Sequence, residues 1–221
     1  MDEAGLCNAG FVWASNCRNV EIRYFCTFNV RMMNRQAFSV ISYMRHRLMV
    51  QSKYKIHSPF VYEFYSQVLT DEQRYPQYRV VNRMRREMET IYRFIKRRDL
   101  GAHCRDFPSD QRFVRVGDIA RRTAVSHSKG ELLYRITRWL KPNYILEFGT
   151  SLGISSMYLA LAVPDGKLIT MEGCIDSAII AQENFDKLGQ KNIEILTGEF
   201  SSILPDALNM MPYPGLVFFD G

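Results

Sequence analysis

The sequence predicts an α/β fold with a doubly wound parallel sheet in its C-terminal part. Four short apolar runs have the length and composition of strands that are buried on both faces of a sheet. They are residues 144–148, 167–171, 193–196 and 216–219. Segments with helical patterning lie between them, at residues 154–163, 175–188 and 201–210. This alternation of strand and helix is typical of parallel strands joined by right-handed crossovers.

Composition excludes several protein classes. The chain has 221 residues, of which 47% are hydrophobic, so it can bury a core and is not compositionally disordered. No apolar run approaches the roughly 18 to 20 residues of a membrane-spanning helix. Asp2 and Glu3 stand where a secretory signal would carry positive charge. We therefore expect a cytoplasmic protein without membrane contact.

The five cysteines do not indicate a metal or redox centre. No two of them have the C-x-x-C spacing of a zinc or thiol–disulfide site. We expect reduced, unpaired thiols, as is usual in a reducing compartment.

Charge is distributed unevenly along the chain. Residues 1–126 contain 22 Lys and Arg against 12 Asp and Glu, whereas residues 127–221 contain 7 against 11. A basic half is compatible with nucleic-acid binding and also with a solvated helical surface. The sequence favours the solvated surface.

The N-terminal part divides into a tail of uncertain structure at residues 1–31 and a basic helical region at residues 32–125. One helix is predicted over residues 41–50. A second is predicted to begin after Ser58, which can cap free N–H groups, and to run to about residue 69.

A third, basic amphipathic helix is predicted around residues 84–98. Met84, Met88, Ile91 and Ile95 fall on one face, with the arginines and Lys96 around the rest. Residues 101–118 have no apolar period and are predicted to form a loop.

Residues 126–221 are predicted to form the ligand-binding domain. It begins with a helix, because residues 128–131 have the S-x-x-E form of a capping box. Pro142 ends that helix, and the first strand follows.

The central motif is the segment 145–156, which reads ILEFGTSLGISS. Here a buried strand runs directly into a turn and then into a helix. Gly149 and Gly153 allow the backbone to turn tightly and to approach a ligand. Glu147 opens the resulting E-x-G-x-x-x-G pattern.

The start of the following helix offers free N–H groups, and the hydroxyls of Thr150, Ser151 and Ser155 lie beside them. Together they form a candidate site for a carboxylate or phosphate. A dinucleotide-binding turn has a glycine where this chain has Ser151. The pattern therefore favours a smaller anionic group, such as the carboxylate of an amino acid, over NAD.

Three further strand ends carry polar groups. Glu172 ends the second strand, where an acid can accept hydrogen bonds from ribose hydroxyls. Gly198, Glu199 and Phe200 follow the third strand, and Asp220 follows the fourth. Because parallel strands end at the same edge of a sheet, we expect these groups to meet in one cleft.

With these motifs, residues 126–221 resemble the class I S-adenosylmethionine-dependent methyltransferases, in particular the small-molecule O-methyltransferases related to catechol O-methyltransferase. Residues 56–62, IHSPFVY, resemble the N-terminal region of a group of bacterial members. The resemblance implies a Rossmann-like sheet of methyltransferase type and S-adenosylmethionine as cofactor. The cofactor contacts that it implies are Glu147, Gly149, Thr150, Ser151, Gly153, Ser155, Glu172, Gly198, Glu199, Phe200 and Asp220.

Within that set, the resemblance assigns the glycine turn and Ser155 to the methionine part of the cofactor and Glu172 to its ribose. Residues 198–201 would border the adenine, and Asp220 would face the reacting centre. The catechol enzymes use the acid at the Asp220 position as a magnesium ligand, but their other ligands follow a later strand. No metal ligand is therefore assigned here, and magnesium use is left open.

The family's sheet has seven strands, of which this chain supplies four. We accordingly expect a fold truncated after the fourth strand, with an exposed edge that favours self-association. No catalytic residue is assigned. His127 is near enough to the cleft to contact a substrate, although a structural or solvated role is favoured.

Four functions are consistent with these features. The first is methyl transfer to an oxygen of a small molecule. The second is a nucleic-acid methyltransferase or binding module that uses the basic N-terminal helices. The third, an NAD-dependent oxidoreductase, is disfavoured by Ser151, and the fourth is an inactive truncated fragment.

Overall fold

The structure is a computed structural model that describes residues 43–44, 57–97 and 112–220. The chain divides into two compact units, Met1–Gln51 and Ser52–Gly221, and the second contains all of the strands and helices given below. The predicted tail at residues 1–31 lies outside the described residues, as does all but a fragment of the predicted helix at 41–50. Among the described residues, no helix is long and apolar enough to cross a membrane.

The second unit begins with helix α1, Pro59–Phe64, which continues as a π-helical turn, Tyr65–Leu69. The Val61 N–H donates to Ser58 Oγ over 3.4 Å, and Pro59 occupies the first helical position. The predicted helix start is thus confirmed.

Helix α2, Pro76–Thr90, begins earlier in the chain than the helix predicted around residues 84–98, and it also ends earlier. The chain is extended from Ile91 and forms strand β1, Phe94–Arg97, which pairs antiparallel with β2, Arg112–Arg115. The prediction of a helix through Ile95 is therefore wrong. Ile95 is buried, but it reaches the core from a strand, which the aromatic and β-branched residues around it favour.

Two more predictions in this region fail. The predicted loop at residues 101–118 is wrong where it is described, because β2 is followed directly by helix α3, Val116–Arg122. The expectation that the basic residues around this helix form a solvated surface also fails at Arg85. Arg85 is only 4% exposed, and its guanidinium donates to the carbonyl oxygens of Ala120 and Val125, which anchors α2 to α3 and to the linker after it.

Helix α4, His127–Leu140, starts ahead of its predicted cap at Ser128. Ser126 is the N-cap residue and makes no side-chain capping bond, so the predicted capping box is wrong. The helix ends at Lys141, in the left-handed region, just before Pro142 as expected. Gly130 lies against Tyr158, and a Cβ there would be 2.3 Å from the ring.

Four parallel strands form the main sheet: β3 Tyr144–Phe148, β4 Lys167–Glu172, β5 Ile193–Thr197 and β6 Leu216–Phe219. Their order in the sheet is β5-β4-β3-β6. The helices between them are α5 Ile154–Ala162, α6 Ile175–Leu188 and α7 Phe200–Asn209. These bounds agree closely with those predicted, including the helix stop at Gly189, which is left-handed.

Helices cover both faces of the sheet. Ile145 and Leu168 pack against α4 and α5 on one face, in a cluster with Leu159. On the other face Leu146 and Ile169 pack with side chains of α7. The predicted α/β fold with a doubly wound parallel sheet is thus confirmed.

The N-terminal part of this unit shares its core with the sheet domain. Tyr78, Val81 and Met84 of α2 belong to one buried cluster with Tyr158 of α5 and Phe185 of α6. Residues 57–97 and 112–125 are therefore packed against the sheet domain, and they contain the β1–β2 ribbon as well as helices.

Candidate functional site: the carboxyl edge of the sheet

The direction of chain progression reverses at β3. From β3 the chain moves to β4 and β5 on one side, and then returns to place β6 on the other side. Ligands of open α/β sheets bind in the crevice that this reversal leaves at the carboxyl ends of the strands. The predicted site residues all lie at these strand ends or in the turns and helix starts next to them.

The turn after β3 has three residues with positive φ: Gly149 at 97°, Ser151 at 49° and Gly153 at 83°. The N–H groups of Gly149 and Thr150 donate to Met171 O over 2.9 and 3.2 Å, which ties the turn to β4. Gly153 is the N-cap residue of α5, and that helix start has no side-chain cap. Its first N–H groups are consequently available to an anion.

Glu172 fastens two loops together at the end of β4. Its Oε2 accepts a hydrogen bond from Ser151 N over 2.6 Å, and its Oε1 accepts one from Cys174 N over 2.8 Å. The side chain is half-buried, and a carboxylate oxygen can accept more than one hydrogen bond. Glu172 is thus held in a fixed orientation while it keeps acceptor capacity for hydroxyl groups.

The hydroxyl groups of the turn are less available than the sequence suggested. Thr150 is buried, and its Oγ1 lies 2.7 Å from Thr170 Oγ1 inside the protein. Ser155 is also buried, whereas Ser151 is half-buried. The Thr150 hydroxyl is therefore used within the protein, and Ser151 is the more accessible of the three hydroxyl-bearing residues.

Glu147 is completely buried in β3. Its Oε2 accepts hydrogen bonds from Ser156 Oγ over 2.5 Å and from Thr170 Oγ1 over 2.7 Å, while its Oε1 has no hydrogen-bond partner. Burial raises the pKa of Glu147 to about 7, against the lowering effect of the neighbouring hydroxyls, and the charge of Asp220 adds to the rise. A carboxyl in this state lies poised between its neutral and ionised forms near neutral pH.

Sequence reasoning missed Ser156 and Thr170 as partners of Glu147. The signal was present in the strand register, because Glu147 and Thr170 are direct neighbours across β3 and β4. Ser156 lies in the first turn of α5, where a hydroxyl can reach back to the preceding strand.

The turn after β5 completes the side of the crevice next to Glu172. Gly198 N donates to Glu172 O over 2.9 Å. Glu199 is exposed and is the N-cap residue of α7. Phe200 packs edge-on against Phe148 with ring centres 5.5 Å apart. An aromatic side chain and two loop residues thus lie where the sequence predicted the border of a flat ring.

Asp220 lies beyond β6, and its backbone N–H donates to Phe148 O over 2.8 Å. Partial removal from water raises the pKa of its carboxyl, and the positive charge of Lys129 opposes that rise. The carboxyl is at the same time exposed at the sheet edge, so it can meet a ligand.

His127 is engaged outside the crevice. Its Nδ1 lies 2.5 Å from Asn82 Oδ1, which also accepts a hydrogen bond from the Tyr158 hydroxyl over 3.2 Å. These contacts join α4, α2 and α5, which agrees with the structural role that the sequence favoured. In the described ranges, no three His, Cys, Asp or Glu side chains cluster in a way that could hold a metal ion.

Comparison with known proteins identifies relatives over part of the chain. No family model matches. A catechol O-methyltransferase of Niastella koreensis is 34% identical over 100 residues, which are 44% of this chain and 45% of that protein. The mouse (Mus musculus) catechol O-methyltransferase is 34% identical over 83 residues, which are 37% of this chain and 31% of that protein. The chain thus spans less than half the length of these relatives.

Among solved structures, the O-methyltransferase TomG of Streptomyces achromogenes, which is involved in tomaymycin synthesis, was determined in complex with S-adenosylmethionine. It is 23% identical, with a TM-score of 0.42 over 86% of this chain and 63% of that one. The relationship rests on the sequence similarity to the two catechol O-methyltransferases. Through them the predicted resemblance is confirmed, and the chain is related to the class I S-adenosylmethionine-dependent O-methyltransferases.

Proposed function

We propose that the chain binds S-adenosylmethionine at the carboxyl edge of the sheet, and that its protein transfers the methyl group to an oxygen of a small molecule. The observation that carries the proposal is the double anchoring of Glu172 by Ser151 N and Cys174 N. It fixes a carboxylate at the end of β4, beside a glycine turn and an uncapped helix start. The names of the relatives support the oxygen acceptor.

The residues present fit each part of this cofactor. The N–H groups at the start of α5 suit the carboxylate of the methionine part. Its ammonium group suits the acidic side chains of Glu147 and Asp220, since Glu147 has a buried oxygen without a partner. The Glu172 carboxylate suits two ribose hydroxyls, and the segment from Gly198 to Phe200 offers a loop and a ring for the adenine.

When bound, S-adenosylmethionine would supply a methyl group on a positively charged sulfur. An oxygen nucleophile would attack the methyl carbon in line with the C–S bond, and the sulfur would leave. The contribution of the chain is to hold that group in one orientation against the acceptor. Ser151 and Glu172 fix the turn, and the aromatic pair Phe148 and Phe219, stacked 4.5 Å apart between β3 and β6, presents an apolar wall beside Asp220. The carboxylate of Asp220 favours positive charge at that end of the crevice.

We propose residues 126–221 as the cofactor-binding part, and the residues predicted from the sequence as its contacts. The cytoplasmic location and the self-association expected from the sequence stay predictions. No magnesium ligand set is proposed, since no three His, Cys, Asp or Glu side chains come together among the residues described.

Isothermal titration of S-adenosylhomocysteine against the purified chain tests the cofactor assignment. We expect saturable binding that Glu172→Gln weakens by at least about tenfold, because it removes the charge from bonds to two hydroxyls. The matched control is Glu194→Gln, which changes a half-buried glutamate paired with Lys167 and should bind normally. Wild-type failure to bind in a folded chain, or equal binding by the Glu172 variant, would reject the assignment. NAD should not compete.

A further inference from the structure

The β1–β2 ribbon has two different faces. The register pairs Phe94 with Arg115 and Lys96 with Phe113. Paired residues and residues two apart on one strand point to the same side, so these four side chains share one face. The opposite face carries Ile95, which is 2% exposed, and Val114, and both pack on the core. The ribbon therefore has a fixed inner side and an outer side in water.

The outer side displays aromatic rings that the described part of the chain leaves uncovered. Phe113 is 72% exposed, Phe94 53% and the adjoining Tyr92 72%. The Tyr92 and Phe94 rings meet edge to face at 5.6 Å, and the Arg115 guanidinium lies 4.7 Å from the Tyr92 ring centre. We call Tyr92, Phe94, Lys96, Phe113 and Arg115 the ribbon face. Contiguous exposed aromatic groups of this kind mark interaction surfaces.

Several contacts hold the ribbon against the start of α6. Lys96 N donates to Asp176 Oδ2 over 2.8 Å, and Arg93 pairs with Glu183 over 2.9 Å. The Cys174 thiol contacts Lys96 O at 3.4 Å. Since α6 begins just after Glu172, the ribbon lies next to the candidate cofactor crevice.

The electrostatic balance of the ribbon face is positive. Of the two nearby acids, Glu183 pairs with Arg93, and Asp176 accepts the backbone N–H of Lys96. By contrast, Lys96 and Arg115 pair with no carboxylate in the described ranges. The surrounding sequence is itself basic, with 22 Lys and Arg against 12 Asp and Glu in residues 1–126. The surface thus fits an anionic partner with flat rings.

We propose that the ribbon face binds single-stranded nucleic acid. Phe94, Phe113 and Tyr92 stack on bases, while Lys96 and Arg115 contact the phosphates. Single-stranded nucleic acid is bound through stacking of its bases on aromatic rings and through contact of its phosphates with cations. Rings and cations alternate on this exposed β surface and can make both interactions. The site differs from the basic helices considered from the sequence, and it does not depend on the proposed methyl transfer.

The arrangement of charges favours nucleic acid over an anionic membrane. Lys96 is directly opposite Phe113, and Arg115 is opposite Phe94, so insertion of the rings into lipid would carry both cations out of water. That is costly. Stacked bases instead leave the cations beside the phosphates that alternate with them.

Fluorescence anisotropy with the full chain and a labelled oligouridylate of about 16 nucleotides tests the proposal. Phe113→Ala should weaken binding roughly tenfold, and Phe113→Leu nearly as much, because stacking and not mere apolarity is lost. Lys96→Gln should lower the slope of log affinity against log salt by about 0.7. Tyr213→Ala, which removes a ring that is 67% exposed elsewhere, and Lys191→Gln are the matched controls and should bind as wild type.

Three results would overturn the proposal. They are no oligouridylate binding by the folded chain at about 50 mM salt, binding that the ribbon variants leave unchanged, and binding to vesicles of phosphatidylserine in place of the oligonucleotide. Titration of S-adenosylhomocysteine into the same variants keeps the two hypotheses apart, since the ribbon variants should retain cofactor affinity whether or not they bind nucleic acid.

Discussion

The backbone N–H of Ser151 donates to the Glu172 carboxylate over 2.6 Å, and this bond joins the turn after β3 to the end of β4. Ser151 has a φ of 49°, in the left-handed region that residues other than glycine rarely adopt. The site therefore combines a backbone donor in a strained conformation with an acid held at a strand end. Such strain persists where the surrounding structure enforces it.

Ser151→Gly should leave the site intact. Glycine adopts a positive φ at little cost and keeps the N–H that Glu172 accepts, so S-adenosylhomocysteine affinity should stay within about threefold of wild type. Ser151→Pro should lower the affinity more than about tenfold, because proline has no N–H and fixes φ near −65°. Isothermal titration measures both, with circular dichroism to confirm folding. Loss of binding in the glycine variant would show that the hydroxyl, not the backbone, is required.

Gly153→Ala should destabilise the protein strongly. A Cβ at this position would lie 2.5 Å from the Phe185 ring, and φ is 83°. We expect a loss of about 2–4 kcal/mol in the free energy of unfolding, from the left-handed backbone and the overpacked ring together. Gly189→Ala is the matched control, because φ is 70° there and nothing lies within 4 Å of the added Cβ. It should lose only about 1 kcal/mol. Equal losses in chemical denaturation would contradict the role of Phe185.

The sheet domain was predictable because each of its elements follows one clear period. The strand at 144–148 and the helix at 175–188 agree residue for residue with the structure. The strand is buried on both faces and so is mostly apolar, whereas the helix is buried on one face and so has apolar residues at helical spacing. The same regularity placed Glu172 and Asp220 correctly at strand ends.

The region before the sheet was harder to predict because burial can be reached from more than one backbone conformation. Ile95 is spaced from Met88 as on a helix, yet it enters the core from β1. Arginine side chains usually lie at the surface. The burial of Arg85 becomes favourable only because its guanidinium donates to carbonyl oxygens that are distant in the sequence. Contacts between residues so far apart in the sequence do not affect the local spacing of apolar residues, so that spacing cannot predict them.

Arg85→Met should cost about 2–4 kcal/mol of unfolding free energy. The change keeps an apolar stem but leaves the carbonyls of Ala120 and Val125 without their donor. Burial already lowers the pKa of Arg85, so lysine would not replace it well. Arg86→Met on the exposed side of the same helix is the control, and it should change stability by less than about 0.5 kcal/mol. Similar thermal midpoints for the two variants would argue against the anchoring role.

Glu147 should make stability depend on pH near neutrality. Its pKa in the folded protein is raised to about 7 from an ordinary value of 4.5. Between these values the folded chain holds a proton that the unfolded chain releases. The stabilising contribution is therefore complete below about pH 4.5 and is lost as the pH rises through about 7. Its full size is on the order of 3 kcal/mol.

Glu147→Gln tests this dependence, because glutamine is neutral at every pH and nearly the same shape. Chemical denaturation between about pH 5 and about pH 8 should give a clear fall in the unfolding free energy of wild type and a flatter profile for the variant. Asp220, whose pKa is also raised, contributes in the same direction, so it is the difference between the two profiles that reports on Glu147. Glu194→Gln, which alters a half-buried carboxylate paired with Lys167, should keep the wild-type slope. If the Glu147 variant keeps it as well, the buried carboxyl is ionised throughout this pH range, and the ammonium group proposed to contact its unpaired oxygen would meet a full negative charge across that range.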